Sequence, residues 1–134
     1  MKLPRLLASA LACIALASCA QTAPATAPVA ESARLAGELR TLIGPASCSA
    51  DTQCRTVPVG AKACGGPAGY WAWSAQGTDA EALKALATRQ AEAHRREVEA
   101  SGMRSNCAMT QDPGAACVVG RCQLQATPSS RGAQ

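Results

Sequence analysis

Cysteine is the residue type that carries the clearest chemistry in this sequence. Eight cysteines occur among 134 residues, a density typical of a disulfide scaffold formed in an oxidising compartment. The six predicted disulfide cysteines are Cys48, Cys54, Cys64, Cys107, Cys117 and Cys122. Because six thiols close into three bonds, we expect no free thiolate to act as a nucleophile.

The cysteine spacing disfavours a metal site. The sequence has no C-x-x-C pair and a single histidine, His94, whereas zinc sites usually combine close cysteine pairs with histidine. A copper site built from thioethers needs a cluster of them, and Met103 and Met109 are too few. We therefore predict that the protein holds no metal and no cofactor.

Catalytic patterns are equally scarce. The sequence lacks a G-x-S-x-G nucleophile elbow, and its candidate acids suit turns or helix caps. Those acids are Asp51, Asp79, Glu81 and Asp112. The chain is 48% hydrophobic, largely through alanine, and 2% aromatic, which is too little bulk for a two-domain enzyme. We predict a non-enzymatic protein, and the alternative is a small enzyme whose site the sequence does not reveal.

The N-terminus has the features of an export signal. Two basic residues, Lys2 and Arg5, precede an apolar run over residues 6–17, which is too short to span a bilayer. The sequence Leu16-Ala17-Ser18-Cys19 follows and resembles the lipobox of bacterial lipoproteins. That resemblance implies cleavage before Cys19 and a lipid on its sulfur. The alternative is ordinary secretion with cleavage after Ala17, which would leave Cys19 as a seventh, unpaired thiol.

The location and the charge of the mature chain follow from this processing. Ala20 stands where an Asp would signal inner-membrane retention, so the lipoprotein resemblance implies an outer-membrane protein facing the periplasm. Loss of Lys2 and Arg5 takes 13 basic residues to 11 against nine acidic ones, so the charge falls from +4 to +2. The basic residues are interspersed with acidic ones, and we expect no nucleic-acid partner.

Composition divides the chain into four parts. Residues 1–18 form the predicted signal peptide, and residues 19–30 form a lipidated, Pro/Ala-rich tether. Prolines and small residues of this kind cannot build a core. Residues 31–126 form the six-cysteine domain, and residues 127–134 are predicted to be a disordered tail.

Two helices are predicted within the domain. Leucines with helical spacing indicate a helix over residues 31–43. A longer helix is predicted over residues 78–100, where Thr78 and Glu81 form a capping box and Gly102 suits the C-terminal end.

The predicted strands complete a small α+β fold. Residues 55–59 are rich in β-branched side chains, and residues 115–125 suit a hairpin with a type II′ turn at Gly120-Arg121. We expect a small disulfide-rich domain in which the two helices pack on one short antiparallel sheet, formed by residues 55–59 together with the hairpin.

The hairpin also restricts the pairing of the cysteines. Cys117 and Cys122 are expected on one inward face of the hairpin, where each is poorly placed to bond the other. We therefore expect both to bond the segment beside the hairpin. The predicted pairs join Cys48 and Cys54, in either order, to Cys117 and Cys122, and join Cys64 to Cys107.

One loop is a candidate for recognition. It is turn-rich and leads into all three aromatic residues of the chain. Its candidate residues are Gly65, Gly66, Pro67, Tyr70, Trp71 and Trp73. The aromatic rings either supply the bulk of the core or form an exposed surface that binds a partner, and both interpretations remain open at this point.

The body of the sequence resembles small six-cysteine secreted proteins and lipoproteins of proteobacteria. The motifs are Cys48-x-x-Asp51-x-Gln53-Cys54, Ala63-Cys64-Gly65-Gly66-Pro67 with Tyr70 and Trp73, Ser105-x-Cys107, and Cys117 with Gly120-Arg121-Cys122. The resemblance implies a shared fold and an envelope address, and no activity. We predict an envelope lipoprotein that binds a protein or a cell-wall component, and the alternatives are an inhibitor of a secreted hydrolase and a small enzyme.

Overall fold

The computed structural model describes residues 29–126 and confirms a small α+β, disulfide-rich domain. In chain order the elements are helix α1 (Glu31–Ile43), a 3₁₀ turn (Asp51–Gln53), strands β1 (Cys54–Val59) and β2 (Gly69–Ser74), helix α2 (Ala80–Ser101), and strands β3 (Ala115–Val118) and β4 (Arg121–Leu124). The predicted signal peptide, the predicted lipidation site Cys19, most of the predicted tether and the predicted tail lie outside the described residues.

The two helices form because each has one apolar face to bury. In α1, Leu35, Leu39 and Ile43 share a buried stripe, as the leucine spacing predicts. Helix α2 begins two residues later than predicted, because Asp79 rather than Thr78 caps it. The Asp79 side chain accepts hydrogen bonds from the first-turn amides of Glu81 and Ala82, and a carboxylate at this position also complements the helix dipole.

The C-terminal end of α2 follows the prediction. Gly102 has φ 64° and ψ 16°, a left-handed conformation, and its amide donates to the carbonyl of Glu99. Glycine pays no side-chain penalty in this conformation. Within residues 29–126, neither helix is both long and apolar enough to cross a membrane.

The strands form two small sheets, which corrects the expectation of one. β1 pairs antiparallel with β2, so that Val57 lies opposite Trp71, and β3 pairs with β4 in a separate sheet. The segment between β1 and β2 is short, so their pairing is local, and the aromatic residues of β2 suit a strand. The hairpin packs against the first sheet, with β4 close to β2, rather than extending it.

The turn of the β3–β4 hairpin also differs from the prediction. It lies at Val119-Gly120, with φ of 49° and 75°, so Cys117 stands opposite Cys122. Two consecutive positive φ values are the mark of a type I′ turn, whose twist matches that of the strands. The register is slipped by two residues from the predicted one, and a two-residue slip keeps every side chain on its predicted face.

The core lies between the helices and the first sheet. Leu35, Leu39 and Leu83 are its largest fully buried side chains. The other side chains that close it include Val57, Trp73, Ala87, Cys54 and Cys122. The core therefore depends on one buried tryptophan and on buried sulfur, as expected of a chain with no phenylalanine.

Candidate functional site

All six domain cysteines are paired in the predicted manner. The bonds are Cys48–Cys117, Cys54–Cys122 and Cys64–Cys107, with sequence separations of 69, 68 and 43. The first two bonds tie the hairpin to the 3₁₀ turn and β1. The third ties the glycine-rich loop to the segment that follows α2. Each bond therefore links segments that are far apart in the sequence.

The first two bonds lie side by side. The sulfur atoms of Cys48, Cys54 and Cys122 all lie within 4.8 Å of one another. Cys54 and Cys122 are 5% and 7% exposed, and Cys48 and Cys117 are half-buried. We call these four residues the disulfide centre. In contrast, both Cys64 and Cys107 are exposed.

Hydrogen bonds brace the hairpin beside the disulfide centre. The amide of Cys122 donates to the carbonyl of Ala46 (2.8 Å), and the amide of Cys48 donates to the carbonyl of Gly120 (3.0 Å). Asp51 was expected to bond nearby amides in its own turn, but its carboxylate accepts from the amide of Cys117, 66 residues away, at 2.7 Å. The carboxylate thereby satisfies a backbone donor of β3.

The structure divides the predicted recognition loop among three environments. Trp73 is buried in the core, with 6% of its surface exposed, so it cannot meet a partner directly. Gly65 and Gly66 are exposed and Pro67 is half-buried. Tyr70 and Trp71 are half-buried at the surface of β2. The two tryptophans share a face because they are two residues apart in one strand.

Tyr70 and Trp71 line an open groove of about 480 Å³ between β2, β4 and the end of α1. We call it the aromatic groove and define it by Arg40, Tyr70, Trp71, Gln123 and Leu124. The guanidinium carbon of Arg40 lies 4.4 Å from the centroid of the Trp71 ring, within cation–π distance. Arg40 forms no ion pair with any described residue, and none of the residues that line the groove is acidic.

Gly66 and Pro67 line a second groove, of about 450 Å³, between α2 and β1. Its floor includes the buried Val57, and its rim carries charges of both signs. The charged rim residues are Lys84, Glu92 and Arg95. Lys84 already pairs with Glu81 at 3.1 Å. This groove therefore offers neither an aromatic surface nor a uniform charge to a ligand.

A polar stripe on α2 positions the strands and loops around these grooves. Gln90 accepts a hydrogen bond from the amide of Gly60 (2.7 Å), and His94 Nδ1 accepts from the amide of Ala61 (2.9 Å). One turn further, Glu97 accepts from the amide of Ser32 (3.0 Å). We call Gln90, His94 and Glu97 the acceptor stripe, because their spacing of four and three residues places them on one helix face.

Glu97 caps the N-terminal end of α1, although it belongs to a different helix. The residue before α1 is Ala30, which has no side chain that can cap, so the first amides of α1 need an outside acceptor. Glu97 accepts from both the amide and the hydroxyl of Ser32. The pKa of Glu97 is lowered first by the hydrogen bond from the Ser32 hydroxyl and then by that from the Ser32 amide, while burial opposes them and the nearby Arg96 charge adds a smaller lowering.

Sequence reasoning missed most of this stripe. His94 lies on the inner side of α2 with a structural partner, and the sequence pattern identified neither Gln90 nor Glu97 as an acceptor. Glu92 and Arg96 have the spacing of a helical ion pair, but Arg96 instead bonds Glu31 of α1 at 3.3 Å. One signal was present, because Gln90 interrupts the apolar face formed by Leu83, Ala87 and Val98, and a buried polar residue needs a partner.

The candidate acids of the sequence have structural partners. Asp51 and Asp79 bond backbone amides, Glu81 pairs with Lys84, and Asp112 accepts from the Thr56 hydroxyl at 2.6 Å and from the amide of Gly114. The single histidine of the sequence, His94, accepts a hydrogen bond from the amide of Ala61 through Nδ1. Among the described residues, these groups are dispersed over the molecule and do not converge on one pocket.

The chain was compared with known proteins at three levels. No protein-family model, no curated protein and no solved structure matches it.

Proposed function

We propose that this chain is a non-enzymatic lipoprotein of the bacterial cell envelope. In this proposal the mature chain is anchored by a lipid on Cys19 to the outer membrane and faces the periplasm. The lipobox-like sequence at residues 16–19 supports the anchor. The three disulfides support an oxidising compartment, because bonds of this kind persist there and are rare in the cytosol.

The activity that we assign to the domain is binding of a peptide carboxylate of the cell wall in the aromatic groove. The observation that carries this proposal is the Arg40 guanidinium, held on the Trp71 ring and free of ion pairs with the described residues. A guanidinium offers a planar fork of donors that matches a carboxylate. Stacking on Trp71 restrains this long side chain before binding, so less entropy is lost when a ligand arrives.

The surroundings of Arg40 suit an extended peptide. Tyr70 and Gln123 line the groove beside it and add polar groups, and Leu124 adds an apolar surface that is 40% exposed. A periplasmic domain on the outer membrane lies against the cell wall, whose peptides carry free carboxylates. An acidic protein segment would offer the same chemical group, and the test below distinguishes the two sources.

The test uses purified peptidoglycan sacculi and the mature chain, with Cys19→Ser so that no lipid is attached. We expect the chain to co-sediment with sacculi, and Arg40→Gln to weaken binding about tenfold or more, since a charge-assisted hydrogen bond contributes roughly 1.5–3 kcal/mol. Arg95→Gln is the matched control, because it removes the same charge from the other groove.

Chemical amidation of the sacculus carboxylates tests the ligand. Amidated sacculi should lose the binding that Arg40 supports. Equal binding by Arg40→Gln and Arg95→Gln, or full binding to amidated sacculi, would contradict the proposal. If sacculi do not bind at all, photocrosslinking from position 71 in intact cells would show whether the groove meets a protein instead.

The lipid anchor has a separate test. Cys19→Ala should abolish labelling of the protein by a radioactive fatty acid, because the thioether forms on that sulfur. Membrane fractionation of the unaltered protein should place it in the outer membrane. Unchanged labelling of Cys19→Ala, or recovery of the mature protein in the inner membrane, would contradict this part of the proposal.

A further inference from the structure

The disulfide centre brings two covalent bonds into contact. The Cys48 sulfur lies within 4.8 Å of both sulfurs of the Cys54–Cys122 bond. Thiol–disulfide exchange needs a thiolate to reach a disulfide sulfur. If the Cys48–Cys117 bond were opened, the Cys48 thiolate would therefore stand next to a second disulfide. The third bond, Cys64–Cys107, has no such neighbour among the cysteines of this cluster.

The two adjacent bonds differ in their access to solvent. Cys54 and Cys122 are buried, so a reductant in solution cannot reach their bond directly while the domain stays folded. Cys48 and Cys117 are half-buried. The Cys48 sulfur faces the inner bond, which leaves Cys117 as the sulfur that an incoming thiolate can approach. Attack at Cys117 expels Cys48 as the leaving group, directed at the buried bond.

We propose that Cys48 is an internal exchange nucleophile, through which an external dithiol reduces the buried Cys54–Cys122 bond of the folded domain. One thiolate of the dithiol bonds Cys117 and releases the Cys48 thiolate. The second thiol of the dithiol then displaces Cys117 as a thiolate, and the dithiol leaves as a disulfide. These steps transfer two electrons to the protein.

The internal step is an exchange with no net electron transfer. The Cys48 thiolate attacks one sulfur of the Cys54–Cys122 bond, forms a new bond to it and expels the other as a thiolate, which takes up a proton. The Cys117 thiolate then attacks the Cys48 sulfur, re-forms the outer bond and expels the second inner sulfur as a thiolate, and a second equivalent of dithiol reduces the outer bond at Cys117 by the steps given above. The consequence is that no covalent bond ties the hairpin to the rest of the domain, and only packing and hydrogen bonds such as that from the Cys122 amide to Ala46 still hold it.

The test compares two single variants that remove the same outer bond. Cys117→Ser leaves Cys48 as a free thiol beside the buried bond, and Cys48→Ser leaves Cys117 instead. Each folded chain is exposed to dithiothreitol in native buffer, quenched with acid at intervals, alkylated and mapped by mass spectrometry. We expect the Cys54–Cys122 bond to be lost about tenfold faster, or more, in Cys117→Ser.

A double variant, Cys64→Ser with Cys107→Ser, is the control for loss of any one disulfide, and it should leave the reduction rate of Cys54–Cys122 at the value of the unaltered chain. Equal rates in Cys117→Ser and Cys48→Ser would overturn the proposal. Should either single variant fail to fold, the unaltered chain decides the matter under limiting dithiothreitol. Early species with Cys117 free and Cys48 joined to Cys54 or Cys122 support the relay, and species with Cys48 and Cys117 free together and the buried bond intact throughout overturn it.

Discussion

Two regions of the molecule hold distant segments together by different chemistry. The disulfide centre joins the hairpin to β1 and to the segment before the 3₁₀ turn through two covalent bonds, and three of its four sulfurs lie within 4.8 Å of one another. The acceptor stripe of α2 joins the β1–β2 connection and the start of α1 through four hydrogen bonds, accepted from the amides of Gly60, Ala61 and Ser32 and from the Ser32 hydroxyl. Both regions fix backbone positions, the first through disulfide bonds and the second through side chains that accept hydrogen bonds from backbone amides.

The two kinds of bond differ in how precisely the joined groups must be placed. A disulfide constrains the unfolded chain as well as the folded one, so its effect depends mainly on which residues it joins. A hydrogen bond from a buried amide requires its acceptor within a few tenths of an ångström, and leaving the amide unpaired costs roughly 1–3 kcal/mol. We therefore expect the disulfide centre to determine whether the domain folds and the acceptor stripe to determine how accurately the grooves are shaped.

The largest predicted effect is loss of the buried disulfide. In the chain-entropy model, Cys54–Cys122 and Cys64–Cys107 close loops of 68 and 43 residues, and each contributes about 4 kcal/mol. The two bonds differ in burial. Removing the buried sulfurs of Cys54 and Cys122 also leaves a cavity, whereas the sulfurs of the other bond belong to exposed residues. We expect Cys54→Ala with Cys122→Ala to lose about 1–3 kcal/mol more than Cys64→Ala with Cys107→Ala. Urea unfolding of both variants gives the difference, and equal losses would show that burial contributes nothing.

The second prediction concerns Gly60, whose amide donates a hydrogen bond to Gln90 of the acceptor stripe. Gly60 has φ 68°, and an added Cβ would stand 2.8 Å from Ala68 Cβ and 2.9 Å from His94 Nδ1. Gly60→Ala must displace the histidine acceptor, and we expect a loss of roughly 3 kcal/mol. Gly65→Ala is the matched control in the same loop, since φ is 91° and nothing lies within 4 Å. It should lose only about 1 kcal/mol. Urea unfolding that gave equal losses would contradict the close approach.

The hairpin turn should respond in the opposite direction. Val119 is 95% exposed and has φ 49°, a conformation that a β-branched residue adopts at a cost. Val119→Asn creates Asn-Gly, the preferred pair of a type I′ turn, and we expect a gain of about 1 kcal/mol. Val118→Asn, in the neighbouring strand, should destabilise the domain slightly because asparagine disfavours strands. Thermal unfolding measures both, and a lower melting temperature for Val119→Asn would contradict the turn assignment.

The same contrast explains what could be predicted from the sequence. The α1 helix follows from leucines at a helical spacing, and the disulfide pairing follows from parity and from the shared face of Cys117 and Cys122. That inference survived an incorrect turn, because the two-residue slip between predicted and observed registers leaves each cysteine on the same face. A one-residue slip would have placed Cys117 and Cys122 on opposite faces of the hairpin, with one of them turned to solvent.

Other features depend on contacts that no local pattern reveals. The partner of β1 was wrong because β-branched content marks a strand without indicating its neighbour. Of the aromatic groove, Tyr70 and Trp71 were identified, but Arg40 and Gln123 come from elements far away in the sequence. The acceptor stripe is similar, because the amide of Gly60 needs an acceptor only once the fold has buried it.

The smallest predicted effect is the pH dependence of the contact between Glu97 and α1. The hydrogen bonds from Ser32 hold the pKa of Glu97 below its usual value of 4.5 in the folded domain. A lowered folded pKa means that the ionised form stabilises the folded state at pH values above 4.5, and that this contribution is lost as the pH falls through the folded pKa. Glu97→Gln removes the charge, and we expect it to destabilise the domain at pH 7 and to differ less from the unaltered chain near pH 3.

The matched control for this prediction lies one half-turn along the same helix. Glu99 is exposed, so Glu99→Gln changes the net charge equally without touching the start of α1. Urea unfolding of the unaltered chain and both variants at pH 7 and near pH 3 separates the two effects. A loss confined to Glu97→Gln and shrinking in acid would show that α2 caps α1 by charge. A loss that is the same at both pH values would show that the charge of Glu97 does not stabilise the start of α1, and would contradict the prediction.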